Sequence, residues 1–305
     1  MSMDILIEKI RKTKNPTVAG LDARLEYVPK HIVNKNIDLY GKTLKSAAES
    51  IYDFNVGLID ALCEIVPAVK PQSAYYELLG AEGVAVLART ISYAKERGLY
   101  VIADAKRNDI GATASAYAEA YFGTVEVGGE VLTPFGADSL TVNAYLGSDG
   151  IKPFLKYCGE KSIFVLAKTS NPSSIELQEM VAGDRPLYKV VTSYISRWGA
   201  DFVGKYGYSN VGAVVGATHP RVLKELRTAF PRVFLLVPGY GAQGGTAADV
   251  EYAFDKNGHG AIVNSSRGIM CAWEKTDGDG LNFAEAAYDA ATKMRRELQN
   301  HITVA

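Results

Sequence analysis

Eight short apolar runs punctuate the chain, each with the length of a strand buried on both faces. They span Thr17–Asp22, Ile65–Lys70, Tyr100–Ala105, Asp138–Asn143, Ile163–Lys168, Val211–Gly216, Val233–Pro238 and Gly260–Asn264. The stretches between them carry helical periodicity. Ala48, Ile51, Phe54, Leu58 and Leu62 form one stripe, and Val84, Leu87, Ile91 and Ala94 form another. Further helices are expected from Tyr188 to Lys205 and from about Ala284 to Leu298. Strand and helix alternating eight times predict a parallel sheet with helical crossovers. The expected architecture is therefore α/β, a single (β/α)8 TIM barrel with a parallel eight-stranded core, forming one domain over residues 1–305. Two connections, Ala23–Lys42 and Ser170–Pro186, exceed ordinary length and read as functional loops at the C-terminal ends of strands.

Composition narrows the function. With 305 residues, 48% hydrophobic and 22% charged, the chain can bury its own core without disulfides or structural metal. A net charge of −1 supplies no basic field, so nucleic acid is a poor partner. Cys63, Cys158 and Cys271 lie far apart, with no C-x-x-C spacing for zinc or redox chemistry. Met1–Thr13 lacks the apolar region of a signal peptide, and no apolar run is long enough to span a bilayer. A cytoplasmic protein is expected.

The third run ends in D-A-K-R-N-D-I-G-A-T, Asp104 to Thr113. Strand alternation points Asp104 and Lys106 to the same side, into the barrel mouth. Asp109 opens the following helix, and Lys70 ends the neighbouring second strand. Lys70, Asp104, Lys106 and Asp109 can thus form an alternating array of cations and anions. Such charges often make only a surface ion-pair network. Their place after an apolar strand, at the catalytic end of a barrel, favours chemistry instead.

D-x-K-x-x-D-I-G-x-T at Asp104, Lys106, Asp109, Ile110, Gly111 and Thr113 resembles the signature of orotidine 5'-monophosphate decarboxylases. Supporting similarity runs from Gly20-Leu21-Asp22 to Arg267, and the two long connections resemble the longer bacterial-type branch. The resemblance implies decarboxylation of orotidine 5'-monophosphate (OMP) to uridine 5'-monophosphate (UMP) in pyrimidine biosynthesis, with no cofactor and no metal. It implies that Lys106 protonates C6, that Asp104 sits beside the substrate carboxylate, and that Lys70 and Asp109 orient and balance the pair. It further implies a homodimer, with Asp109, Ile110 and Thr113 reaching across the interface, and Asp22 as a ribose ligand.

Two loops near the C-terminus suit a phosphate: P-G-Y-G-A-Q-G-G at Pro238–Gly245 and N-S-S-R-G at Asn264–Gly268. They follow strands seven and eight, where barrels commonly bind phosphate. Glycines such as Gly241 and Gly244 let backbone N–H groups approach oxygens, and Arg267 can grip them bidentately. By the same resemblance, Gln243 bridges phosphate and pyrimidine, and Ser170 meets the base. Gly239, Gly241 and Gly244 also spell the dinucleotide fingerprint G-x-G-x-x-G. On the seventh strand, too little chain follows to complete a nucleotide-binding fold.

Three other functions compete. A magnesium-dependent sugar-phosphate decarboxylase shares D-x-K-x-x-D but needs a glutamate where Lys70 stands. A Schiff-base aldolase would use Lys168, at the end of strand five, or Lys106. A phosphosugar sensor would not need Lys106. Asn143 faces the same mouth as a polar ligand or a turn residue, and Thr169, Ser170 and Asn171 suit a loop over a base. The histidines His31, His219, His259 and His301 are scattered, and His219, before Pro220, suits a helix cap.

Overall fold

The computed structural model describes residues 1–276 and 278–305. The eight apolar runs form eight parallel strands: β1 (Thr17–Leu21), β2 (Ala68–Pro71), β3 (Tyr100–Arg107), β4 (Ser139–Val142), β5 (Ser162–Lys168), β6 (Val211–Val215), β7 (Leu235–Val237) and β8 (Ala261–Ser265). They close in the order β1-β8-β7-β6-β5-β4-β3-β2. β-Branched and leucine side chains, among them Val69, Val101, Ile163, Val211, Leu235 and Val263, are buried against the surrounding helices and the barrel interior.

The expected helices are present. Leu44–Leu62 buries Ala48, Ile51, Phe54, Leu58 and Leu62. In Gly80–Glu96 the buried stripe includes Leu87, Ile91 and Ala94, but Val86 replaces the half-exposed Val84. Leu187–Trp198 ends earlier than its periodicity predicts, with Gly199 at its C-cap. The chain closes with Phe283–Gln299.

Neither long connection is plain loop. Residues 23–42 contain the helix Lys30–Tyr40, which packs on Leu44–Leu62. Residues 170–186 hold the short helix Ser174–Gln178 and a two-stranded hairpin, Val181–Ala182 with Arg185–Pro186. A second hairpin, Val125–Val127 with Glu130–Leu132, turns on Gly128 and Gly129, both at positive φ.

The helix Ser2–Thr13 covers the N-terminal end of the barrel. Met3, Leu6, Ile7 and Ile10 are buried on one face. The Ser2 and Tyr100 hydroxyls lie 2.7 Å apart, and the Met3 N–H donates to Asn210 Oδ1 at 2.8 Å. With one end closed, the C-terminal mouth is left to hold a site. No helix among the described residues is long and apolar enough to cross a membrane.

Candidate active site

A cleft of about 390 Å³ opens at the C-terminal mouth, lined among others by Asp22, Lys70, Asp104, Ser170, Gln243 and Arg267. Register brings these residues together. Gly20 of β1 pairs with Lys70 of β2, and Gln72, just past β2, bridges to Asp104 of β3.

A chain of ions starts from the cleft-lining residues Lys70 and Asp104 and extends to Lys106, which lies outside that lining. Lys70 Nζ donates to Asp104 Oδ2 at 2.7 Å, and Lys106 Nζ to Asp104 Oδ1 at 2.6 Å. Lys70 Nζ also stands 3.7 Å from Asp22 Oδ1. Lys70 and Asp104 are 3% and 7% exposed, so neither would stay charged alone. Burial by itself would raise the Asp104 pKa, but the Lys70 and Lys106 ammoniums outweigh it and hold the carboxyl far below the ordinary range. Burial would likewise lower Lys70, and Asp104 and Asp22 reverse this, raising it above an ordinary lysine. A depressed acid stabilises the fold above its unfolded pKa and ceases to as pH falls through the folded one. A raised lysine does so below its unfolded pKa, until pH climbs past the folded one. Both contributions are therefore complete across neutral pH.

Lys106 reaches Asp104 by an irregular route. Between Ala103 and Arg107 β3 advances four residues, while β4 advances only two, from Leu140 to Val142. This bulge is where Lys106 takes φ 50°, one of two positive-φ non-glycine residues among those described. A left-handed residue with a Cβ costs about 1–2 kcal/mol. Plain strand alternation does not predict this turn. Thr141 of β4 holds it: its Oγ1 accepts the Lys106 N–H at 3.0 Å and donates to Asp104 Oδ1 at 2.8 Å. The side chain of Lys106 is 44% exposed, so its ammonium can meet a ligand.

Asp109 does not join this chain, and Asp22 stands in the array instead. The Asp109 carboxylate accepts the neighbouring Ile110 N–H at 2.8 Å. Past Arg107 the chain leaves β3, and five residues after Lys106 it enters the helix Gly111–Phe122. Ile110 is 56% exposed, and Thr113 is exposed on the first turn of that helix.

On the opposite wall, Ser170 Oγ donates to Gln243 Oε1 at 2.7 Å, joining the loops after β5 and β7. Gly216 permits this approach, since a Cβ there would lie 2.8 Å from that of Ser170. Arg267 begins the short helix after β8, and no salt bridge among the described residues engages it. Ser266 packs so closely on β1 that a Cβ on Gly20 would stand 1.9 Å from its Oγ. Gly20 is thus required for the loop bearing Arg267 to sit against the first strand.

Gly241 and Gly244 face a different cleft, beside Glu297 and His301 on the outer side of the loop, at φ 71° and 93°. Their positive φ bends the loop that carries Gln243, which lines the cleft. Asn143 is a turn residue: its Oδ1 accepts the Tyr145 N–H at 2.9 Å, and it borders an apolar cleft of about 520 Å³ beside Tyr194 and Trp198. Lys168 is fully buried, donating to Ser174 Oγ at 2.8 Å and pairing with Glu179 at 2.8 Å. It tethers the strand-five loop, and the cleft lining does not include it. His219 occupies the N-cap position of Pro220–Ala229, but its ring lies 3.0 Å from the Thr169 carbonyl instead of capping the helix.

A closed parallel barrel with one end sealed and charged side chains gathered at the C-terminal ends of its strands defines the class: a (β/α)8 barrel of enzyme type. The chain belongs to the orotidine 5'-phosphate decarboxylase / HUMPS family, whose pattern matches residues 49–276. It is 43% identical to an orotidine 5'-phosphate decarboxylase of Rhodopirellula baltica, over 95% of this chain and 96% of that one. Identity is 40% to the enzyme of the same name from Caldicellulosiruptor saccharolyticus, over 98% of both chains. The solved OMP decarboxylase of Leishmania donovani is 31% identical with a TM-score of 0.72, covering 97% of this chain and 98% of its own.

Proposed function

We propose that this chain, acting as one barrel domain in the cytoplasm, decarboxylates OMP to UMP and carbon dioxide without metal or organic cofactor. The observation that carries the reading is the Lys70–Asp104–Lys106 ion chain: Lys70 and Asp104 line a cleft together with Arg267, Gln243 and Ser170, and the half-exposed Lys106 ammonium lies 2.6 Å from Asp104. Arg267 takes the 5'-phosphate, with the glycine-bent loop beside it. Gln243, clasped by Ser170, lies between phosphate and pyrimidine, and Asp22 accepts a ribose hydroxyl. The C6–carboxylate bond breaks with its electron pair left on C6, and carbon dioxide departs. The Lys106 ammonium stabilises this developing anion and then gives it a proton; water reprotonates the amine. Asp104, ionised and fixed, sits beside the scissile carboxylate.

Lys70 argues against the magnesium-dependent relative, because its ammonium already lies between Asp22 and Asp104, where a divalent cation would have to sit. The contacts of Lys168 argue against an aldolase that uses it: the amine is enclosed by Ser174 and Glu179. Purified protein should convert OMP to UMP, followed as loss of ultraviolet absorbance, and EDTA should leave the rate unchanged. Binding without turnover would refute the reading.

The active unit is a homodimer in which Asp109 and Thr113 complete the partner's site. Their outward placement supports this, as does the apolar surface around them, where Ile110 and Tyr145 are 56% and 77% exposed. Mixing Lys106→Ala and Asp109→Ala dimers should then restore activity. Half of randomly exchanged dimers are hybrids with one intact site of two, giving about a quarter of wild-type turnover. No recovery after verified subunit exchange would remove the shared site.

A further inference from the structure

We propose that Thr141 is a positioning residue for the decarboxylation, its one hydroxyl setting both the backbone of Lys106 and the carboxylate of Asp104. This rests on the function proposed above. Thr141 is 1% exposed on β4 and is not among the residues lining the cleft, so it acts through its two neighbours.

The direction of each bond is forced. The Lys106 amide can only donate, and the ionised Asp104 carboxylate can only accept. The hydroxyl between them must therefore accept from the first, at 3.0 Å, and give its single hydrogen to the second, at 2.8 Å. No ladder bond can substitute, because the pairing of β3 with β4 shifts register between Ala103 and Arg107. Lys106 is held at φ 50° by this contact, and that conformation determines where its side chain starts.

Asp104 Oδ1 thereby receives both Thr141 and the Lys106 ammonium, while Oδ2 receives Lys70. Three donors fix the plane of the carboxylate. Losing the hydroxyl would leave Asp104 free to rotate about the two lysines and Lys106 free to leave its left-handed turn. The carboxylate and ammonium would then both shift relative to a nucleotide still anchored by Arg267 and Gln243. Valine matches threonine in volume but lacks the hydroxyl, so the substitution opens no cavity while it removes the partner of the Lys106 N–H and of Asp104 Oδ1.

Thr141→Val should lower kcat on the order of 100-fold, the effect of roughly 1 Å of misplacement at reacting groups. KM for OMP and affinity for UMP should stay within about threefold, since the phosphate and base contacts are untouched. Thr141→Ser, which keeps the hydroxyl, should recover most of the lost rate. A crystal structure of the valine variant should show Lys106 out of positive φ and its ammonium withdrawn from Asp104. A folded valine variant with kcat within twofold of wild type, a serine variant as impaired as the valine one, or an unchanged Lys106 in that crystal would overturn the proposal. Absence of OMP turnover by the wild-type protein would instead refute the proposed activity, leaving the crystal structure to decide the positioning role.

Discussion

Replacing Lys106 with alanine is expected to lower kcat by at least about 10⁴-fold while the protein still folds and binds UMP. Two effects combine in that number. A positioned general acid contributes about 10²–10⁴, and a charge aimed at a developing anion about 10²–10³. Folding should survive because the Lys106 side chain is half-exposed, and because Asp104 keeps Lys70 at 2.7 Å and Thr141 at 2.8 Å. UMP affinity, measured by calorimetry, should change by less than about tenfold, since the product carries no charge at C6 for the ammonium to match. Residual kcat within tenfold of wild type would remove Lys106 from the chemistry.

The second large effect is expected at the far end of the cleft. Arg267→Ala should reduce kcat/KM for OMP by about 10²-fold, the scale of a charge-assisted hydrogen bond of ~1.5–3 kcal/mol. With orotidine, which lacks the phosphate, the same substitution should cost less than about threefold. That difference is the informative quantity, because it separates loss of a phosphate grip from general damage to the loop packed on Gly20. Equal losses with both substrates would contradict the assignment.

Much of this molecule is readable from its sequence, and the exceptions have physical causes. Strands buried on both faces leave continuous apolar runs, so all eight were visible; their ends moved by up to three residues, as at Ala68. The helix Ser2–Thr13 was also written in the chain, in the spacing of Met3, Leu6, Ile7 and Ile10. The eight expected strand–helix units do not include it. The helix Lys30–Tyr40 was hidden because it buries little more than Ile32 and Asn36, leaving a weak apolar stripe.

In the site, Lys70, Asp104 and Lys106 were legible because charges rarely end an apolar strand. The exchange of Asp109 for Asp22 was not, since it depends on where the chain turns after the bulge in β3. Gly241 and Gly244 read as phosphate-facing, yet only the backbone path shows that they line the outer side of their loop. Thr141 gave no signal at all. A threonine within a strand is ordinary β-sheet composition, and its two bonds exist only because the register slips beside it.

The central claim is that an ammonium at the barrel mouth delivers a proton to a carbon anion left by departing carbon dioxide. Turnover of OMP in D₂O with EDTA present, followed by NMR of the product, tests it most directly. The Lys106 ammonium exchanges its hydrogens with solvent, so UMP should carry one deuterium at C6 and none elsewhere on carbon. UMP formed with ordinary hydrogen at C6, or turnover that halts until a divalent metal is restored, would contradict the account.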